Sequence, residues 1–221
     1  MMFDRGQQTR FADRTEAGKQ LAEAIRDRGV DADVVLAIPR GGLPVGREVA
    51  DAIDRPLDVI VASKVGAPWN PELAIGAVGS DGSAWFDESL IERHGIDAEY
   101  VERKRESVAE AAAEKEARYR GTEASTSLAG STVLLVDDGA ATGSTTIAAI
   151  RLARARDAAT IVLAIPVAPP DTLQTLRSEA DDVICLLTPS WFGAVGQFYA
   201  DFGQVSDEEA IDLLEAEDFE P

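Results

Sequence analysis

Among the 221 residues there is one cysteine and one histidine. A single cysteine excludes an intramolecular disulfide and a cysteine-based zinc site. Cys185 sits inside the apolar run 183–187 and reads as a small core residue. His94, in a polar segment beside Gly95, reads as a surface residue. Basic residues are also scarce: 21 Lys and Arg face 40 Asp and Glu, for a formal charge of −19. That balance argues against a nucleic-acid or anionic-membrane partner. Lysine occurs only at positions 19, 64, 104 and 115. An acid-rich, lysine-poor surface suits a halophilic, high-salt interior, where the Debye length shrinks to about 3 Å at 1 M. No apolar run approaches the roughly 20 residues of a membrane helix. The polar segment 1–14 lacks the apolar centre of a signal peptide. The expectation is a cytoplasmic protein with one domain over residues 1–221.

What is present is an alternation of apolar runs and helical patterns. Asp13-Arg-Thr-Glu16 is a capping box opening a helix to about Arg28, with Ala17, Leu21, Ala24 and Ile25 on one face. Residues 34–38 form a short apolar strand, stopped by Pro39-Arg40-Gly41-Gly42, and residues 43–53 read as a helix. Residues 57–62 form the next strand, ending at Ser63-Lys64. This βαβ pattern predicts an α/β fold with a parallel sheet. Residues 65–96 break it with Gly66, Pro68, Pro71, Gly76, Gly79 and Gly82, so a flexible hairpin lid is expected there. A charged helix over 97–120 follows. The sheet resumes with strand 132–136, helix 144–156, strand 160–165, a short helix after Pro170 and strand 183–187. Residues 189–221 hold an aromatic- and glycine-rich stretch, a second capping box Ser206-Asp-Glu-Glu209 opening a helix to about Glu215, and an acidic end.

The most informative stretch is Val133-Leu-Leu-Val-Asp-Asp-Gly-Ala-Ala-Thr-Gly-Ser-Thr-Thr146. Four apolar residues read as a buried parallel strand. Asp137 and Asp138 stand at its carboxyl end, where open α/β sheets bind ligands. A loop of Gly, Ala, Thr and Ser then opens a helix, which presents backbone N–H groups and hydroxyls to a phosphate. The paired acids can serve sugar hydroxyls or a hydrated Mg²⁺. Phosphate, diol and Mg²⁺ together suggest a phosphorylated ribose. The P-loop is excluded, because Gly139 and Gly143 enclose three residues rather than four and Ser144 stands where a Lys is needed. G-x-G-x-x-G is absent from the strand-to-helix turns.

Residues 133–145 resemble the 5-phosphoribosyl-1-diphosphate (PRPP) motif of type I phosphoribosyltransferases. That motif reads apolar strand, Asp/Glu-Asp, two mostly aliphatic residues, then Thr-Thr-Gly-x-Thr. Gly139 replaces an aliphatic residue and Ala141 the first Thr. In the hypoxanthine-guanine enzymes the position of Ala141 carries a proton-handling Asp, so Ala141 removes one candidate base. Pro39–Gly42, Asn70-Pro71-Glu72 and Val195-Gly-Gln-Phe-Tyr-Ala-Asp-Phe202 are similar to segments of a less-characterised branch of the family, extending the resemblance to roughly residues 11–214.

The resemblance implies a parallel-sheet core with flanking helices, a flexible lid and a small C-terminal hood. It implies Mg²⁺ as cofactor, PRPP and a small-molecule acceptor as substrates, and a homodimer. Ala141, Thr142, Gly143, Ser144 and Thr145 would hold the 5′-phosphate. Asp137 and Asp138 would take the ribose hydroxyls, directly or through Mg²⁺, and count with Arg40 and Lys64 as the catalytic set. Arg40, the Gly41 amide and Lys64 would bind pyrophosphate. Trp191 and Phe192, with Phe198 and Tyr199, would form a hood over the acceptor, and Glu72 is a candidate acid/base group in the lid. The implied reaction transfers phosphoribosyl to a nitrogen nucleophile. A PRPP-sensing protein without turnover is the alternative, and a Mg²⁺-dependent phosphohydrolase a weaker third reading.

Overall fold

The computed structural model describes residues 10–120 and 126–215. The acidic end 216–221 lies outside them. Strand β1 (Val34–Ala37) is buried at every position because helices cover both its faces. It pairs in parallel with β2 (Leu57–Val59) on one side and β6 (Thr132–Val136) on the other. β6 continues to β7 (Thr160–Val167) and β7 to β8 (Asp182–Leu187), all parallel, for the order β2-β1-β6-β7-β8. The period-2 alternation of the strands divides the core between two faces. Val35, Leu134, Val136, Val162 and Ala164 face helices α1 (Arg14–Asp27) and α2 (Gly42–Ile53). Val34, Leu36, Val133, Leu135, Ile161 and Leu163 face α5 (Ser144–Ala155) and α6 (Pro170–Glu179). Leu135→Ala, at a fully buried site, should cost about 2–5 kcal/mol, measurable by denaturant unfolding.

The helix starts follow their local chemistry. Asp13 caps α1 by accepting the Glu16 N–H at 2.8 Å. The return arm of the capping box differs from expectation: the Glu16 carboxylate accepts from the Ala12 N–H, one residue earlier than Asp13. Ser206 caps α7 (Asp207–Glu215), accepting the Glu209 N–H at 3.0 Å.

Residues 63–120 form a packed unit rather than a bare hairpin. β3 (Ser63–Ala67), β4 (Asn70–Val78) and β5 (Ala84–Phe86) make a three-stranded antiparallel sheet, followed by α3 (Glu88–His94) and α4 (Ala98–Arg120). Val65, Ile75, Val78 and Ile96 give it a core of its own, packed on Tyr100 and Val108 of α4. The sheet docks on α5, where the Arg151 guanidinium lies 3.7 Å above the Trp85 ring centroid and Arg156 pairs with Asp81 at 3.0 Å. The expected strand 57–62 is shorter than the apolar run: β2 ends at Val59, and the chain then turns into β3. β7 is two residues longer than expected and runs through Pro166. No helix among the described residues is long and apolar enough to cross a membrane.

Candidate active site

The chain leaves β1 toward β2 on one side and leaves β6 toward β7 on the other, so β1 and β6 flank the point where strand order reverses. Open parallel sheets bind ligands in the crevice outside that point. Both loops singled out in the sequence meet there. The Pro39–Arg40 peptide is cis. The turn closes with Gly42 N–H donating to the Ile38 carbonyl at 3.0 Å and Leu43 N–H to the Arg40 carbonyl at 3.1 Å. Gly41 packs directly on the Asp138 carboxylate, and Gly42 on the Val136 carbonyl and the Asp137 Cα, where any Cβ would collide. The loop 39–42 therefore lies over the acidic pair.

The two aspartates are held differently. Asp137 Oδ1 accepts the Asp138 N–H at 2.9 Å. Burial first, and the neighbouring Asp138 second, push its carboxyl well above the usual carboxylate range. Asp138 is also raised by burial, but the Arg14 guanidinium opposes the shift. Arg14 Nε donates to Asp138 Oδ2 at 2.8 Å, with each side chain 13% exposed. Arg14 also donates to the Gly203 carbonyl at 2.7 Å and lies 3.8 Å over the Phe202 ring centroid. The Tyr199 hydroxyl donates to the Asp138 carbonyl at 2.6 Å, locking the loop from the hood side. Arg14 and Phe202 are the site residues that sequence reading missed. No spacing pattern links Arg14 to a carboxylate 124 positions away.

The loop 139–143 descends into α5. Gly139 has φ +148°, and a Cβ there would stand 2.8 Å from Val195 and 2.9 Å from Val167, so the departure from an aliphatic residue is a packing requirement. Gly143 takes the left-handed conformation as the N-cap of α5 and offers no side-chain cap. The first amide of α5, Ser144 N–H, makes a long bond of 3.5 Å to Thr142 Oγ1, and Thr142, Ser144 and Thr145 are exposed beside it. The Thr172 hydroxyl donates to the Ala141 carbonyl at 2.7 Å and fixes the loop against α6. Ala141 presents only a methyl group.

A cleft of about 490 Å³ opens beside these loops, lined by Arg14, Arg40, Gly41, Asp138 and residues 202–205. Arg40 reaches its rim and pairs with Asp207 of α7 at 3.0 Å. Lys64 lies exposed on β3, within the antiparallel sheet rather than at the end of a core strand, and does not line the cleft. No residue of 65–96 lines it either. Trp191 is 67% exposed, and Phe192 stacks on Phe198 at 5.2 Å; both stand outside the cleft lining. The aromatic ring in the cleft is Phe202. Glu72 lies on β4, and its side chain is outside the described part of the structure. Burial raises the Cys185 thiol above its usual range, which keeps it protonated and matches a packing role.

Among the described residues no group of three or more Asp, Glu, His or Cys is disposed to hold a metal ion. Asp137 and Asp138 nevertheless fit Mg²⁺, which binds through one or two carboxylates together with substrate phosphates. Two adjacent, half-buried carboxylates with raised pKa values are a donor set that a cation relieves.

The family model for the phosphoribosyl transferase domain matches residues 8–202. Proteins of two strains of Mycobacterium tuberculosis, each named "Putative phosphoribosyl transferase", are 43% identical over 208 residues, which is 93% of this chain and 46% of theirs. The chain spans about half the length of the curated relatives it matches. The crystal structure of TT1426 from Thermus thermophilus is 40% identical, with a TM-score of 0.87, over 93% of this chain and 98% of that one.

Proposed function

This chain belongs to the phosphoribosyl transferase domain family, and from that premise we propose that it transfers 5-phosphoribosyl from PRPP to a nitrogen nucleophile and releases pyrophosphate, with Mg²⁺. The observation that carries the reading is the meeting of two loops at the sheet's switch point. Gly41 and Gly42 lie on Asp137 and Asp138, and the loop that carries these acids runs on into the start of α5. The α5 amides with Thr142, Ser144 and Thr145 would receive the 5′-phosphate. Asp137 and Asp138 would accept the ribose hydroxyls and hold Mg²⁺, which when bound would neutralise phosphate charge. Arg40 and the Gly41 amide would take the pyrophosphate, with Arg40 exchanging Asp207 for phosphate oxygens. Lys64 would join them from β3, and Trp191 or Phe192 would reach the acceptor, only if β3 and the hood move toward the cleft.

Catalysis in this reading is mainly positioning and electrostatic stabilisation of the departing group. The proposed transition state has oxocarbenium character, as in glycoside cleavage. The test is a PRPP-consumption screen across purines, pyrimidines and amide donors at low and high salt. Pyrophosphate release with any acceptor is the expected result. Mg²⁺-dependent PRPP binding with no turnover across the panel would favour the sensing alternative. That alternative draws its support from Ala141, which leaves the loop without an acid or base at the proton-handling position.

A further inference from the structure

We propose that Arg14 selects the acceptor, and that the acceptor it selects carries an anionic group. The inference deepens the function proposed above and rests on it. Arg14 opens α1, yet its side chain reaches into the cleft and is anchored there from three directions. Nε bonds Asp138, an Nη group bonds the Gly203 carbonyl, and the guanidinium lies over Phe202. Arg14 also stands in the wall between this cleft and a neighbouring one of about 230 Å³, since both are lined by Arg14 and residues 203–205. Such anchoring leaves a planar, five-donor group pre-oriented, with less rotamer freedom to lose when a carboxylate or acidic heterocycle arrives.

The division of charge within the cleft points the same way. Its lining holds two cations, Arg14 and Arg40, and one carboxylate, Asp138, in a chain of formal charge −19. In the proposed reaction Arg40 and the loop amides serve pyrophosphate, and Asp138 serves ribose. With Asp138 so engaged, Arg14 stays placed by Gly203 and Phe202, and its charge faces the remaining substrate. The cleft also lacks a base. Its one carboxylate, Asp138, serves ribose in this reading, and Ala141 offers none. A neutral acceptor losing a proton would need one; a deprotonated acceptor does not. Its nitrogen lone pair forms the N–C1′ bond while the C1′–O bond breaks, and that bonding pair leaves on pyrophosphate with no proton to place. For an acidic heterocycle, whose charge is shared by the reacting nitrogen, one residue thereby answers both for the acceptor's charge and for the missing base.

Benzoate and benzamide share one shape, differ in charge and carry no ring nitrogen to react. The experiment titrates each into the full chain holding Mg²⁺ and PRPP, by calorimetry at about 0.15 M salt. PRPP binding is measured separately on each protein. Benzoate should bind at least about tenfold more tightly than benzamide, the scale of a charge-assisted hydrogen bond. Arg14→Gln should erase the preference, and Arg14→Lys should keep part of it. PRPP binding with equal affinity for both probes overturns the acceptor assignment and leaves the transferase reading standing. So does an undiminished preference in Arg14→Gln. Failure of the wild-type chain to bind PRPP overturns both. Should Arg14→Gln not fold, the wild-type pair of titrations and Arg14→Lys still decide.

Discussion

Asp137→Asn should lower PRPP-dependent turnover by about 10²–10³-fold, the scale for removing one preorganised electrostatic group, while raising the melting temperature at neutral pH. The two effects have one cause. Asp137 is half-buried beside Asp138, and its folded-state pKa lies well above the ordinary carboxylate value. The folded chain therefore binds more protons than the unfolded chain between those two pKa values, and stability falls as pH rises through that window. Above the folded pKa the full penalty remains. Removing the charge relieves it, as expected where a strained site is kept for function at the expense of stability.

Asp138→Asn should lose a similar factor in turnover but gain less stability, because it deprives a mostly buried Arg14 of its partner. The predicted order of melting temperatures at pH 7 places Asp137→Asn above both wild type and Asp138→Asn. Thermal unfolding from pH 4 to pH 8 with parallel turnover assays checks both statements. Near-normal turnover in both variants would remove the acidic pair from the mechanism.

The parts of this site that were legible in the sequence are the local ones. A strand buried on both faces writes itself as an unbroken apolar run, which is why residues 133–136 were readable with the acids that follow. Gly41 and Gly42 were readable as the stop after the first strand, although not what they touch. Where the reading erred, a tertiary fact decided. Residues 60–62 are as apolar as β2, but β2 is an edge strand that among the described residues pairs with β1 alone, and the chain leaves it for a second sheet. Lys64 went with it. The segment 65–96 looked loose because its Gly and Pro residues interrupt every period, yet its short apolar runs share a core with α4, which lies beyond that segment.

The hood shows the same limit in sharper form. Its aromatics were visible, but which ring meets the cleft depends on the pairing of residues 11–12 with 198–201. Phe11 N–H donates to the Phe198 carbonyl at 2.8 Å, and Ala200 and Asp201 N–H donate to Phe11 and Ala12 at 2.8 Å. That pairing turns Phe198 and Tyr199 into the core with Phe11 and leaves Phe202 beside Arg14. Two segments almost two hundred residues apart thus build this side of the cleft jointly, and neither carries a signal of the other.

Gly41→Ala and Gly42→Ala should separate function from folding in the loop over the acids. Neither glycine has a positive φ, so a methyl group carries no backbone penalty, and reduced unfolded-state entropy alone would favour Ala by about 0.4–1 kcal/mol. The contacts decide otherwise. At Gly42 the new Cβ would stand 2.8 Å from the Val136 carbonyl oxygen and 3.1 Å from the Asp137 Cα, both backbone atoms of a central strand and its exit. Neither atom can move without disturbing the sheet, so Gly42→Ala should lose about 1–3 kcal/mol. At Gly41 the collision is with the Asp138 carboxylate, a side chain that can swing. Gly41→Ala should therefore fold nearly as well as wild type. Its Asp138 would be displaced from the ribose hydroxyls and from Arg14, and a misplacement on the order of 1 Å costs about 10²-fold in rate. Denaturant unfolding read beside PRPP affinity and turnover distinguishes the two variants. A Gly41→Ala protein with unaltered PRPP affinity and turnover would mean that the loop does not need to touch Asp138, and the site would have to be redrawn.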